Sequence, residues 1–321
     1  MRHLLNHGTG DRVRAIGFHD RESGDYSEVT ADVVVLAASA FESVRLLLNS
    51  ASPRHPHGIG GGSGQLGRYV SDHVMVGRNG FAAGAYADLN HAADFDPRAA
   101  RQGQFDFGDY HSMYMPDFTG RWGPTPDFPG GYGIQCGVVP PVWWALAFGE
   151  RRPRWEDQVT ISDSVSDAWG IPAAQVAIRR GPDELRLIAH MTAAIEEIAA
   201  IAGVRIADPP LTAQSSQRDA RLFARLKHTV VSPSGAFHLG AAIHESGGAR
   251  MGPDPERSVV SPFCQCWEAP NLFVTDGACF VSPGFQNPTL TIMALTARAC
   301  DYILRHYRRR ITDRHDTIGI G

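Results

Sequence analysis

A short run of consecutive apolar residues, Val-Val-Val-Leu at 33–36, most constrains how this chain can fold. An unbroken β-branched run is typical of a strand that is buried on both faces, as in a parallel sheet. The small residues at 37–40 follow, and residues 41–49 then have the apolar spacing of a helix. A buried strand, a tight turn and a helix predict a nucleotide-binding arrangement of the α/β type. We therefore expect a mixed α/β (α+β) fold.

Two pairs of strands are predicted around polar turns. Residues 13–18 and 26–30 are strand-like and flank a turn at 20–24, which predicts a β-hairpin. Residues 159–162 and 175–178 are also strand-like and enclose a loop. Antiparallel pairing is the expectation for the first pair.

Two long helices are predicted in the second half of the chain. Pro182 suits a first helical turn and Gly203 suits a helix stop. The apolar stripe predicted for this helix consists of Leu185, Ile188, Thr192, Ile195, Ala199 and Ala202. In the last helix, Pro288 is expected at the first helical position with Asn287 as the N-cap. Its predicted apolar face consists of Leu290, Met293, Ala297, Ile303 and Tyr307.

Other stretches have no regular pattern. Residues 74–158 are aromatic and glycine-rich with no assignable strands, and residues 207–236 are polar and expected to be exposed. The loop at 52–67 contains Gly62-Ser-Gly-Gln-Leu-Gly67, a formal match to the dinucleotide-binding fingerprint. That fingerprint needs a strand before it, whereas here a proline-containing loop precedes it. We interpret this segment as a surface or active-site loop.

Composition excludes several classes of protein. The 30 basic and 34 acidic residues give a net charge of −4, so we expect no nucleic-acid partner. The most apolar stretch, 138–148, is short and contains two prolines, so we expect no membrane span. Five cysteines with one close pair, Cys264 and Cys266, fit neither a disulfide framework nor a zinc site. We expect no metal, reduced thiols and a cytoplasmic location.

The last ninety residues contain the candidate chemistry. His244 follows an apolar stretch and precedes Gly247 and Gly248, where a backbone can approach a ligand closely. A neutral imidazole there could take the proton of an alcohol. His238 is a rival, and a structural histidine is the alternative. The helix beginning near Pro288 would favour negative charge at its N-terminus, as on a reduced flavin, or it is an ordinary capped surface helix.

Five separated segments, taken in order, resemble the glucose–methanol–choline (GMC) family of FAD-dependent oxidoreductases. Residues 34–50 and 64–73 are similar to its Val-Val-Leu-Ala-Ala-Gly and Gly-Gln-x-Gly-Arg-x-x-x-Asp-His blocks. The segment His244-Glu-Ser-Gly-Gly-Ala-Arg-Met-Gly252 is similar to the family's His-x-x-Gly-Thr-Cys-Arg-Met-Gly. Residues 271–277 and 287–291 resemble the Asn-Leu-x-Val-x-Asp-Gly and Asn-Pro-Thr-Leu-Thr blocks.

This resemblance implies an FAD cofactor and oxidation of a CH–OH group on a sugar, polyol or related alcohol. His244 would be the base, with hydride passing to flavin N5, and Asn287 would orient the alcohol oxygen. On this resemblance, His238 is no longer a candidate for the base. The residues that the resemblance places near the cofactor are Asp276, Gly277, Asn287, Pro288 and Thr289. The segment 265–268 (Gln-Cys-Trp-Glu) resembles that of members acting on sugars and polyols.

The resemblance also predicts the domain organisation. Residues 1–73 would be the remainder of a Rossmann-like FAD-binding domain, 74–205 a substrate domain with an antiparallel sheet, and 206–321 the C-terminal catalytic segment. The family's Gly-x-Gly-x-x-Gly βαβ unit is missing, and Ser39 replaces a family glycine. We therefore expect the chain to be the C-terminal portion of such an enzyme, with a separately encoded N-terminal half as a candidate partner.

Two other classes of function are consistent with the residues. The chain could be a non-catalytic fragment, or a subunit that pairs with an FAD-binding half through an uncovered sheet edge. A hydrolase using His244 and a serine is the third alternative. The sequence lacks the Gly-x-Ser-x-Gly nucleophile turn, which argues against the hydrolase.

Overall fold

A computed structural model describes residues 3–5, 11–82, 111–115, 130–139, 142–206, 236–237 and 239–315 of the chain. The strands are β1 (His3–Leu5), β2 (Ala15–His19), β3 (Tyr26–Thr30), β4 (Val34–Leu36), β5 (Val74–Ala82), β6 (His111–Met115), β7 (Tyr132–Val139), β8 (Val142–Gly149), β9 (Gln158–Ser166), β10 (Pro172–Ala177), β11 (Val204–Ile206) and β12 (Leu272–Val274). The helices are α1 (Ala40–Asn49), α2 (Pro182–Ile201) and α3 (Thr289–His315). The fold is a mixture of helices and strands, as the sequence predicted.

The predicted buried strand is β4, and it is parallel to β12. Val34 lies opposite Leu272 and Leu36 opposite Val274. Val34, Leu36 and all of β12 are buried together with the inner face of α1 in one hydrophobic core. The prediction that the strand is buried on both faces is wrong for Val35, which is 49% exposed. Among the described residues, β12 is the only strand that pairs with β4, so one of its edges carries no described strand.

Residues 74–158, for which the sequence predicted no individual strands, contribute most of an antiparallel sheet with strand order β11-β5-β8-β7-β6. Val74, Val76, Ile134, Ala145 and Ala147 are fully buried in a second core. They pack with buried side chains of α2. Alternating inward residues are the pattern of a sheet with one covered face, and glycine and aromatic residues mask that pattern in the sequence. The predicted antiparallel sheet is confirmed.

Both predicted strand pairs are present. In the first, β2 and β3 pair antiparallel with Ala15 opposite Thr30 and His19 opposite Tyr26. In the second, β9 and β10 pair antiparallel across the turn at Asp167–Ile171. Arg45 of α1 donates hydrogen bonds to the carbonyls of Ile171 and Pro172, at 3.0 and 2.7 Å. The second hairpin is thereby held against the first core.

The limits of α2 agree with the sequence, but its buried face does not. Pro182 is its first residue, and Gly203 after it has a φ of 67°. Leu185 is 59% exposed and Ala202 is also exposed. Ile188, Ile195 and Ala199 are buried as predicted, and the other buried side chains are Glu184, Leu187, Met191 and Ala194. An alanine-rich helix offers several weak apolar stripes, and contact with the sheet selects among them.

The last helix, α3, differs from its prediction in two respects. The carbonyl of Pro288 accepts the first helical bond, from the N–H of Ile292 at 3.0 Å. Pro288 is therefore the N-cap residue and Asn287 precedes it, one position from the expectation. Leu290 and Met293 are 77% and 62% exposed, so the predicted apolar face is wrong at its start. The side chains that pack on the first core are those of Ile292, Leu295, Ala299, Tyr302, Ile303 and Tyr307.

Of residues 207–236, predicted to be polar and exposed, 207–235 lie outside the described residues, as does His238. The prediction is wrong for Ala236, which is buried in the second core. No helix in the described ranges has both the length and the apolar character that crossing a bilayer requires.

Candidate active site

The segments that carry the sequence motifs meet at one place. The N–H of Gly247 donates to the carbonyl of Gly277 at 2.9 Å, and Ala249 donates to Ala278 at 2.9 Å. Ser71 and Ser246 exchange backbone hydrogen bonds of 2.8 and 2.9 Å. The blocks around residues 71, 246 and 277, which are far apart in the sequence, are therefore neighbours.

The pair Gly247 and Gly248 is required by close packing of the chain on itself. Their φ angles are +79° and +92°, a backbone region that L side chains rarely adopt. A Cβ at Gly247 would lie 2.2 Å from the carbonyl oxygen of Tyr69, and one at Gly248 would lie 2.6 Å from Val44. The close backbone approach expected at these glycines is thus made to the chain's own residues.

Asp72 fixes the segment that carries His244. Its carboxylate, which is fully buried, accepts hydrogen bonds from the N–H of Ala242 at 3.2 Å and of His244 at 3.2 Å. It also accepts the N–H of His73 at 2.8 Å. Burial raises the pKa of Asp72, and these three N–H groups oppose that shift. A buried carboxylate with three donors is a rigid anchor for the loop.

The imidazole of His244, which follows the anchored backbone, is half-buried. Its ring contacts His73, with centroids 5.0 Å apart and planes at 84°, and Phe148, at 6.0 Å. Burial lowers the pKa of His244, and the carboxylates of Asp72 and Glu245 oppose the shift. The imidazole is therefore neutral at pH 7, which is the form that can accept a proton.

His73 is a neighbour that the sequence reasoning did not single out. Only 2% of its surface is exposed, and its ring lies against both Phe148 and His244. Burial lowers its pKa to about 4, and proximity to His244 acts in the same direction. The only sequence signal for this residue was its place at the end of the block 64–73.

Asp276 and Gly277 are buried behind the strand β12. The Asp276 carboxylate accepts hydrogen bonds from the Ser43 hydroxyl and, at 2.9 Å, from the N–H of Ala278. Burial raises the pKa of Asp276, and the hydrogen bond from Ser43 is the largest opposing effect. A Cβ on Gly277 would lie 2.7 Å from the carbonyl of Glu245. The Asp276 side chain thus ties α1 to residues 276–278, whose backbone accepts hydrogen bonds from Gly247 and Ala249.

Asn287, Pro288 and Thr289 form the N-terminal end of α3. Asn287 and Thr289 are exposed and Pro288 is buried. The Thr296 hydroxyl donates to the carbonyl of Thr275 at 3.0 Å, which places this end of α3 beside the end of β12. The first N–H groups of any helix lack intrahelical acceptors, so this end presents free donors and a positive dipole end.

The loop before α3 lies near His73. The backbone of Gly284 is close enough to His73 to raise its pKa against the effect of burial. Ser282 donates a hydrogen bond to the Glu150 carboxylate just beyond β8. The loop that leads to Asn287 is thus held beside the end of β8 and His73.

Two other sequence expectations have structural outcomes here. Glu268, from the segment thought to signal sugar substrates, accepts hydrogen bonds from the N–H groups of Gly60 and Gly62 at 2.8 and 2.6 Å. It is also paired with His55 at 3.0 Å. It therefore fixes the loop that was rejected as a dinucleotide fingerprint. No group of three or more His, Cys, Asp or Glu side chains in the described chain is placed to hold a metal ion.

Comparison with known proteins identifies a family that matches part of this chain. The family model of the GMC oxidoreductases, C-terminal region, matches residues 153–296. Those residues belong to the GMC oxidoreductase family, which confirms the resemblance stated from the sequence.

Particular relatives extend the similarity along the chain. It is 29% identical to 2-methyl-1,2-propanediol dehydrogenase of Mycolicibacterium austroafricanum, covering 94% of this chain and 53% of that protein. It is 26% identical to the fructose dehydrogenase large subunit of Gluconobacter japonicus, covering 93% and 52%. The chain therefore spans about half the length of the curated relatives it matches.

Solved structures share the fold. The formate oxidase of Aspergillus oryzae RIB40 matches with a TM-score of 0.68 at 13% identity, over 96% of this chain and 60% of that one. The pyridoxine 4-oxidase of Mesorbium loti matches with a TM-score of 0.58 at 18% identity, over 95% and 57%. At these identities the likeness concerns the fold alone.

Proposed function

We propose that this chain forms the substrate-binding and proton-accepting part of an FAD-dependent oxidoreductase that oxidises a CH–OH group of an alcohol or sugar. One observation carries the proposal: the buried carboxylate of Asp72 accepts the backbone N–H of His244 and so fixes a half-buried imidazole whose ring lies against His73. The names of the relatives, a propanediol dehydrogenase and a fructose dehydrogenase subunit, support this substrate class.

In this proposal His244 accepts the proton of the substrate hydroxyl at Nε2. Its Nδ1 is buried, so Nε2 is the nitrogen available to a substrate. FAD, when bound, supplies the acceptor for the hydride at flavin N5. A positioned general base of this kind contributes about 10²- to 10⁴-fold to a rate.

Asn287 is proposed to hold the alcohol oxygen. Its amide cannot act as a base, but its N–H groups can donate to an oxygen on which negative charge develops. The side chain is exposed at the start of α3, where no packing prevents it from reaching a ligand.

The residues proposed to lie near FAD fit that role to different degrees. The donors at the N-terminus of α3, from Thr289 onward, suit the electron-rich edge of a reduced flavin. Pro288 and Gly277 would shape the backbone beside it. The carboxylate of Asp276 already bonds Ser43 and Ala278, so Asp276 would act through its backbone.

Anaerobic bleaching of bound flavin tests this proposal. FAD would be added to the chain, alone and together with any separately encoded N-terminal half, and a panel of diols, sugars and simple alcohols would be mixed in. We expect bleaching with at least one diol or sugar, and a decrease of at least about 100-fold in its rate in His244→Ala. The control is His306→Ala, an exposed histidine on α3.

Two results would contradict the proposal. Undiminished bleaching in His244→Ala would remove the base, and FAD binding without bleaching by any member of the panel would remove the substrate class. A loss of the same size in His306→Ala would show that the assay reports folding and not catalysis.

The second candidate function is that of a subunit that pairs with an FAD-binding half. The half-exposed Val35 and the edge of β4 that carries no described strand favour it. Absorbance in the flavin bands, measured for the purified chain with and without added FAD, separates the two. Flavin retained by the chain alone would exclude a requirement for the other half.

A further inference from the structure

Three buried ring nitrogens belong to His244, the proposed base, and to its neighbour His73. Both ring nitrogens of His73 and Nδ1 of His244 are buried and make no hydrogen bond of ordinary geometry to the described residues. The two rings touch edge to face, with centroids 5.0 Å apart. An unsatisfied buried polar group is costly, so a cluster of three calls for an explanation.

The surroundings of His73 offer acceptors for its one N–H. The backbone of Gly149 and Gly284 favours the protonated form of its ring, as carbonyl oxygens do. A carbonyl accepts only, so either backbone can accept the one N–H of a neutral His73 ring. A neutral imidazole has one N–H, and the other nitrogen of His73 is then an acceptor without a donor.

His244 supplies the matching donor. The other ring in contact with His73, Phe148, offers no polar group. The charged or titratable groups that act on His244 are Asp72, Glu245 and His73 itself. The Asp72 carboxylate is engaged by three backbone N–H groups. Of these neighbours, His73 is the one whose ring touches that of His244 and can accept an N–H from Nδ1 of His244.

We propose that His73 is a positioning residue for His244: its unprotonated nitrogen accepts a hydrogen bond from Nδ1–H of His244 and so keeps Nε2 of His244 in the proton-accepting form. When Nε2 takes a proton, the imidazolium that results donates a stronger, charge-assisted bond to His73. The role in catalysis rests on the proposed function, whereas the tautomer belongs to the free chain.

Nuclear magnetic resonance of the full chain with ¹⁵N-labelled histidine tests the tautomer directly. The His244 signals are assigned by their loss in His244→Gln. At pH 7.5 we expect the Nδ1–H tautomer of His244 to predominate in the unchanged chain. In His73→Phe, which keeps a ring against Phe148 but has no acceptor, the tautomer ratio should shift about three- to tenfold toward Nε2–H, as one net hydrogen bond predicts.

Matched variants separate positioning from packing. His73→Gln retains an acceptor oxygen and should restore most of the ratio, and His306→Phe, on the exposed side of α3, should leave it unchanged. A predominant Nε2–H tautomer in the unchanged chain would overturn the proposal, whether or not any variant folds. An unchanged ratio in folded His73→Phe would overturn it as well.

The same variants separate this inference from the proposed function. In the FAD-loaded protein, His73→Phe should lower kcat with little change in KM, and His73→Gln should recover part of it. If no substrate bleaches flavin but the tautomer behaves as described, the proposed function fails and the positioning role of His73 stands.

Discussion

Ser39 is strained, and replacing it with glycine should stabilise the protein. Its φ of 78° and ψ of 150° fall in a backbone region that is almost confined to glycine. The side chain is exposed and makes no capping hydrogen bond to α1. Ser39→Gly therefore removes strain without removing a buried contact. Ser39 is also the position where the GMC family carries glycine.

The size of the effect follows from two opposing contributions. Relief of the strain is worth about 1–3 kcal/mol. Glycine adds freedom to the unfolded chain, which costs about 0.4–1 kcal/mol. The free energy of unfolding should therefore increase by about 1 kcal/mol in Ser39→Gly. For a domain of this size, that corresponds to a rise in Tm of about 2–4 °C.

Thermal and urea unfolding followed by circular dichroism measure this change. Ser39→Ala is the matched control, since it keeps the Cβ atom in the same backbone conformation and should gain nothing. Gly24→Ala is the reverse control: Gly24 has a φ of 78° and no atom within 4 Å of a built Cβ. It should lose about 1 kcal/mol from backbone strain alone. A decrease in Tm for Ser39→Gly, or an equal increase for Ser39→Ala, would refute the reasoning.

Three further predictions concern buried polar groups. Asn271→Ala should lower the free energy of unfolding by about 2–4 kcal/mol in urea, because its amide pairs with the N–H and carbonyl of Val13 at 2.9 and 2.8 Å. Arg45→Met should lower it by about 2 kcal/mol, since the 2.9 Å pair with Asp167 is lost; an unchanged urea midpoint would contradict this. The pKa of His73 is about 4 in the folded chain, below its ordinary 6.5, so folding disfavours protonation of this ring. Above pH 6.5 the ring is neutral in both states and His73 does not lower the free energy of unfolding. Between pH 6.5 and 4 the free energy of unfolding should fall by about 1.4 kcal/mol per pH unit, about 3 kcal/mol in all, and His73→Phe should reduce this slope.

Local patterns predicted the secondary structure around the site well. The run at 33–36 became β4, the polar turn at 20–24 became a hairpin, and Pro182 and Gly203 marked the limits of α2. These signals depend on residues a few positions apart, which the sequence presents directly.

The faces of the helices were predicted less well. Leu290 and Met293 have helical spacing yet are exposed, and Leu185 lies outside the buried side of α2. Periodicity shows that a helix has an apolar side, but with several apolar residues around the helix the neighbouring element selects which side is covered. The assignment of Asn287 as N-cap erred by one position for a similar reason, since the first turn of a helix adjusts to its tertiary contacts.

The sequence by itself predicted a mixed α/β fold and a resemblance to the GMC family, and it identified His244 and Asn287 as the candidate chemical groups. The motifs that contain these two residues are short and continuous, so they can be recognised in the sequence without the structure. Only the tertiary structure decided that Asp72 anchors the His244 loop and that His73 lies against the His244 ring, because these contacts join residues about 170 positions apart. Burial, which sets the charge of both imidazoles, is likewise a property of packing and not of composition.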